Sequence, residues 1–157
     1  MRGESARPPL VRLVTPEIVP HRQLSEHTRV PPERARILIV DQDEGTVETY
    51  ARLLRLEGYD VRTALSPEDG LRDVESNPPD AIIVDFRMPV IDGLEFLRLV
   101  RARPDHRDTP VAVVTGDFFT DERILAQLTA LGAVVRYKPL WLEELVDLID
   151  VLFGRSR

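Results

Sequence analysis

Four places in this chain carry side chains able to do chemistry, and each comes at the end of an apolar run. Asp41-Gln42-Asp43-Glu44 follows "RILIV", Asp85 closes "AIIVD", Thr115-Gly116 closes "VAVVTG", and Lys138-Pro139 follows "AVVRY". Grouped carboxylates suit a hard, oxygen-seeking divalent cation, with Mg2+ the first choice. An ammonium beside them can pair with a carboxylate at rest or with an oxygen of an added phosphoryl group. A threonine hydroxyl can donate to the same oxygens. Composition also singles out Lys138: the chain has 21 lysines and arginines, and this is the one lysine. Lysine is a compact point charge on a flexible stem, whereas arginine is a wide planar fork. A narrow site that holds one carboxylate and later one phosphoryl oxygen favours the former.

For these residues to meet, the elements between them must bring them to one rim. "RILIV" reads as a first strand. A helix follows, with Val47, Ala51 and Leu54 on one face and Gly58 as its stop. "DVRTA" is a second strand. Ser66 caps the next helix, with Pro67 at its first position. "DAIIVDF" is a third strand, and "DGLEFLRLVRAR" a helix closed by Pro104. "TPVAVVTG" is a fourth strand, "DERILAQLTALG" a helix ending at Gly132, and "AVVRY" a fifth strand. "LEELVDLIDVLF" is the last helix, with Leu142, Leu145, Ile149 and Leu152 assigned to its apolar face. Strands apolar on both faces, alternating with helices, predict a five-stranded parallel sheet, doubly wound. Ligands of such sheets bind beyond the carboxyl ends of the strands, where the reactive residues stand.

Composition bounds the function. The apolar fraction of 43% and charged fraction of 31% are those of a globular domain. No apolar run approaches the ~20 residues of a spanning helix, and no membrane contact is expected. The absence of cysteine excludes disulfides and thiolate chemistry and fits a cytoplasmic location. Residues 37–157 carry fourteen basic and twenty-three acidic side chains, so direct nucleic-acid binding is not expected. Residues 1–35 form a Pro/Arg-rich arm, holding six of the thirteen prolines, and read as flexible. "LVRLV" within the arm is a short apolar patch able to dock on a partner. With no G-x-G-x-x-G and no P-loop, a dinucleotide or NTP reading lacks its phosphate cradle.

The segments "ILIVDQDE", "AIIVDFRMPVIDG", "VAVVTG" and "RYKP", in this order and spacing, resemble the receiver domain of bacterial two-component response regulators. The resemblance covers residues 36–153, and the domain is placed at 36–157. It implies a flavodoxin-like (β/α)5 fold. It implies that Asp85 accepts a phosphoryl group from a sensor histidine kinase or a phosphotransfer protein, a self-catalysed transfer with autodephosphorylation rather than enzymatic turnover. It assigns Mg2+ to Asp41, Asp85 and the main-chain carbonyl of Arg87, a phosphoryl oxygen to Lys138, and the switch hydroxyl to Thr115. Gly116 is expected to let the backbone approach closely, Pro89 and Gly93 to shape the loop presenting Asp85, and Lys138-Pro139 to be cis. Since only "GRSR" follows Phe153, a stand-alone regulator is expected. It would contact a downstream protein through its fourth helix, fifth strand and fifth helix, with Trp141 as a contact anchor if exposed.

Three positions depart from the family pattern. Gln42 stands where a second acidic metal ligand is usual, which weakens Mg2+ binding or loses that ligand; Asp43 replaces it only if the loop shifts. Val135 stands at the usual aromatic switch position, and the segment to Lys138 is one residue short; Tyr137 shares its strand face. Arg87 and Asp117 occupy positions that tune loss of the phosphoryl group, and are read as a pair across the mouth of the site. These departures keep open a degenerate receiver that binds partners without phosphorylation. "DQDEGT" also superficially resembles the nucleophile loop of haloacid-dehalogenase-type phosphatases, where the D-x-x-M-P-x-x-D-G block would have no role.

Overall fold

The structure is a computed structural model, and it describes residues 34–116 and 121–155. Five strands and five helices alternate as read from the sequence: β1 (Arg36–Val40), α1 (Glu44–Leu56), β2 (Asp60–Ala64), α2 (Pro67–Ser76), β3 (Ala81–Asp85), α3 (Gly93–Arg101), β4 (Val111–Thr115), α4 (Glu122–Ala130), β5 (Val134–Tyr137) and α5 (Leu142–Leu152). A short 3-10 turn at Pro104–His106 was not anticipated. The strands form one parallel sheet in the order β2-β1-β3-β4-β5. Between β1 and β3 the winding reverses, which is where such sheets open a crevice at their carboxyl edge.

Alternation along each strand divides the core in two. Ile37, Ile39, Ile83 and Val114 point to one face and pack with Val47, Ala51 and Leu54 of α1 and Leu145 and Ile149 of α5. Leu38, Val40, Val84 and Val113 point to the other and pack with Val74, Phe96, Leu97, Val100 and Leu128 of α2, α3 and α4. Each central strand is therefore buried on both faces, which explains its continuous apolar run. Of the four residues assigned to the apolar face of α5, three are buried. Leu142 is not: at the first turn it lies past the edge of the sheet and remains 43% exposed.

Local signals set the helix ends. Asp43 caps α1 by accepting from the N–H groups of Gly45 and Thr46, Ser66 caps α2 through Asp69 N–H, and Asp92 caps α3 through Glu95 N–H. Gly58, at φ 95°, ends α1 in the left-handed region as expected. Gly93 has a steric reason: a Cβ there would lie 2.8 Å from Phe86 Cα and 3.0 Å from the Asp85 carbonyl oxygen. Its N–H donates to Phe86 O at 2.8 Å, which closes the loop carrying Asp85. Met88 of the same loop is buried in the α2–α4 side of the core and pins it from below.

Candidate functional site

At the carboxyl edge of the sheet three of the chemically singled-out side chains are in contact. Asp41 follows β1 and is buried; Asp85 ends β3; Lys138 follows β5. Lys138 Nζ donates to Asp41 Oδ2 at 2.7 Å and lies 3.2 Å from Asp85 Oδ1. One ammonium thus bridges two carboxylates 44 residues apart in the chain. The other oxygen of Asp41 accepts from Asp43 N–H at 2.9 Å, which fixes the carboxylate's orientation. The Lys138-Pro139 bond is cis, as expected.

The electrostatics follow from the geometry. Burial raises the pKa of Asp85, and the neighbouring Asp41 charge raises it further. Lys138 and the Arg87 backbone N–H, both hydrogen-bonded to it, only partly oppose this. Burial works against the Lys138 ammonium, but the Asp41 hydrogen bond and the charges of Asp85 and Asp41 outweigh it, so its pKa is raised. Asp85 is therefore a carboxylate with enhanced basicity, held against a firmly protonated amine. That is the arrangement of a nucleophile beside a resident positive charge.

Thr115 ends β4, is buried, and lies one residue past Val114, the partner of Asp85 in the ladder. Its carbonyl accepts from Lys138 N–H at 2.9 Å. Gln42 is exposed, and so is the side chain of Arg87, whose main chain faces Asp85. The carboxylate of Asp43 is committed to capping α1, which argues against its replacing a ligand at position 42. Gly116 differs from the expectation: among the described residues, a Cβ there would meet nothing within 4 Å. Val135 packs on the α2–α4 side of the core, and Tyr137 pairs in register with Thr115. Asp117, read from the sequence as the partner of Arg87, lies outside the described residues, as do residues 1–33 of the arm.

The fit to Mg2+ is partial. The two carboxylates, Asp41 and Asp85, belong to the modest donor set with which this ion, keeping several waters, is commonly bound; the Arg87 carbonyl is a third donor that the family resemblance assigns. Among the described residues no group of three or more His, Cys, Asp or Glu side chains is placed to hold a metal ion. The described carboxylates are too few to cage the ion on their own and would leave most of its coordination to water or to a bound ligand.

One residue of the site was not foreseen. Tyr50 of α1 is buried beneath it, and its Oη accepts from Leu140 N–H at 3.3 Å, the residue after the Lys138-Pro139 bond. Burial raises the pKa of the phenol; the Leu140 N–H and the charge of Lys138 work the other way, and the charges of Asp41 and Asp85 add to the rise. The only signal in the sequence was a phenol on the apolar face of a helix, which must find a polar partner.

A family model for the response regulator receiver domain matches residues 37–150. Transcriptional regulatory protein PrrA of Mycobacterium tuberculosis is 38% identical over 120 residues, which is 76% of this chain and 50% of that protein. Response regulator MprA of Mycobacterium ulcerans is 37% identical over 122 residues, 78% of this chain and 51% of that protein. The chain thus spans about half the length of the curated relatives it matches. Among solved structures, the chemotaxis protein CheY4 of Vibrio cholerae aligns with a TM-score of 0.71 at 28% identity, covering 76% of this chain and 98% of that one. A putative response regulator from Chloroflexus aurantiacus aligns with a TM-score of 0.69 at 32% identity, covering 78% of this chain and 99% of that one.

Proposed function

Since the chain belongs to the response-regulator receiver family, we propose that it accepts a phosphoryl group from the phosphohistidine of a sensor kinase, or of a phosphotransfer protein, onto Asp85. The observation that carries this reading is the ammonium of Lys138 lying within 3.2 Å of both Asp41 and Asp85. An oxygen of Asp85 attacks phosphorus, the P–O bond forms as the P–N bond breaks, and the departing imidazole nitrogen keeps the electron pair. Once Asp85 is esterified its charge moves outward onto the phosphoryl oxygens, and Lys138 turns from carboxylate to phosphoryl oxygen. Thr115 supplies a second donor from β4. Asp41, Asp85 and the Arg87 carbonyl would hold Mg2+, which offsets the negative charge on the transferring group when bound. Water attack on the acyl phosphate resets the site. The outcome is a change of protein contacts in the cytoplasm, through the α4–β5–α5 face to a downstream partner or by passing the phosphoryl group onward.

The test is direct. Incubation with acetyl phosphate and Mg2+ should add the mass of one phosphoryl group, and Asp85→Asn should abolish the addition. No added mass at any magnesium concentration would refute the reading.

A second reading has its own support. The exposed amide of Gln42 replaces a carboxylate at the metal edge, which favours a receiver that binds partners without being phosphorylated. Magnesium titration separates the two: an active receiver shows a saturable change on binding the ion, and restoring the acid with Gln42→Asp should tighten it. If Gln42→Asp is required before any phosphoryl uptake occurs, the second reading holds.

A further inference from the structure

Helix α1 reaches both members of an ion pair at the site. At its start, the N–H of its capping residue Asp43 donates to Asp41 Oδ1 at 2.9 Å. About two turns further on stands Tyr50. Of the four buried residues of α1, Val47, Ala51 and Leu54 are aliphatic, and Tyr50 is the one with a polar tip. An aliphatic side chain would fill a core position there with no hydroxyl to satisfy, which leaves the phenol to be explained by its partner. Its Oη accepts from the N–H of Leu140 at 3.3 Å. Burial raises its pKa above the ordinary 10.0, so at neutral pH the phenol is uncharged and adds no charge beside Asp41 and Asp85.

The segment carrying Lys138 is held on both sides of that residue. Lys138 N–H donates to Thr115 O at 2.9 Å. Pro139 has no N–H to offer, so Leu140 supplies the next backbone donor, and Tyr50 takes it. A lysine stem is flexible, so the place of its backbone decides which oxygens Nζ can hold at once. Here it reaches two, Asp41 Oδ2 at 2.7 Å and Asp85 Oδ1 at 3.2 Å. We propose that Tyr50 is a positioning residue for phosphoryl transfer: through Leu140 it sets the backbone of Lys138 relative to α1, and so keeps the ammonium between Asp41 and Asp85. One helix then places both ends of the Lys138–Asp41 bond, the acceptor through the Asp43 N–H and the donor through the Tyr50 phenol. Tyr50 touches no reacting atom; it acts through Lys138. Its part in transfer rests on Asp85 being the phosphoacceptor, whereas its placing of the ammonium in the resting protein does not.

Lys138 is the one lysine in the chain, so lysine labelled with 15N at Nζ gives a single ammonium resonance in NMR spectra of the full chain. In the resting wild type, hydrogen bonding to carboxylates should slow exchange of the ammonium protons with water. Tyr50→Phe keeps the ring and removes the acceptor; several-fold faster exchange and a shifted resonance are expected. Arg101→Met is the control for general loosening, because it removes a guanidinium bonded to three carbonyls on the far edge of the sheet. Its ammonium signal should match the wild type. With acetyl phosphate and Mg2+, Tyr50→Phe should lower the rate at saturation about ten-fold and leave the half-saturating concentration unchanged. The loss falls short of the ~10²-fold of a 1 Å misplacement because the lysine stem adapts. In a Lys138→Met background the same substitution should have no further effect. Equal ammonium exchange in wild type and Tyr50→Phe would overturn the proposal. So would a matching change in Arg101→Met, an unchanged rate at saturation, or a full effect of Tyr50→Phe without Lys138. If the wild type takes up no phosphoryl group, the functional reading fails, and the ammonium signal alone decides whether Tyr50 places Lys138.

Discussion

Lys138 Nζ sits between two carboxylate oxygens, 2.7 Å and 3.2 Å away, in a space shaped for a single point of charge. Lys138→Arg keeps the charge but spreads it over a plane. Phosphoryl uptake from acetyl phosphate should fall by about 10²-fold, the usual effect of misplacing one donor to a developing anion. Asp85 supplies a pH prediction. Its pKa is raised above the ordinary 3.8, so the folded state holds this proton more tightly than the unfolded chain does. Stability contributed by the group is greatest below the unfolded pKa and is lost as pH rises through the raised value. Asp85→Asn should therefore be more stable than the wild type at pH 7, with the gap closing in acid, as followed by urea unfolding across pH. A gap independent of pH would contradict the assignment. Tyr50→Phe leaves the buried Leu140 N–H without its acceptor and should cost about 1–2 kcal/mol in the same measurement. Asp41, Asp85, Thr115 and Lys138 were legible in the sequence because each follows an apolar run, and parallel strands deliver their ends to one edge. The part played by Tyr50 was not, because it depends on how α1 docks against a turn 90 residues away.

The elements were readable because their boundaries are chemical. Ser66 and Pro67 open α2, Asp92 opens α3, and left-handed glycines follow α1 and α4. Loops without such marks were opaque. Val90 lies between β3 and α3 at φ 71°, and Ile91 N–H donates to Pro89 O at 2.8 Å across it. This is a three-residue γ-turn, a strained form even for an unbranched side chain. A valine there is an outlier, since its branched Cβ crowds the backbone. Nothing buries it in return: it is 97% exposed. Val90→Asn should stabilise the domain by about 1 kcal/mol by relieving that strain, measurable as a higher urea midpoint with an unchanged slope. The first turn of α5 shows the converse error. Leu142 has helical spacing with the buried Leu145 and Ile149, but periodicity cannot tell where a helix overhangs the sheet that buries it.

For the molecule as a whole, the sheet order was predictable only as a class; the sequence does not show which strand neighbours which. The edge opposite the site is held by a residue whose importance is likewise invisible in one dimension. Arg101, at the end of α3, donates from Nε to Leu131 O at 2.8 Å and from Nη1 to His106 O and Thr109 O at 2.9 and 2.7 Å. Burial lowers its pKa, partly countered by Asp108. One guanidinium thus joins α3, the segment before β4 and the end of α4. Arg101→Met leaves three carbonyls without this donor and should cost about 3 kcal/mol, read as a fall in the urea midpoint. At the other edge, the Lys138 N–H donates to the carbonyl of Thr115, extending the ladder one rung past β5. The amine and the hydroxyl are thereby yoked at their backbones. Displacing either strand end is therefore expected to be felt at the other, through a backbone link that no aromatic side chain has to carry.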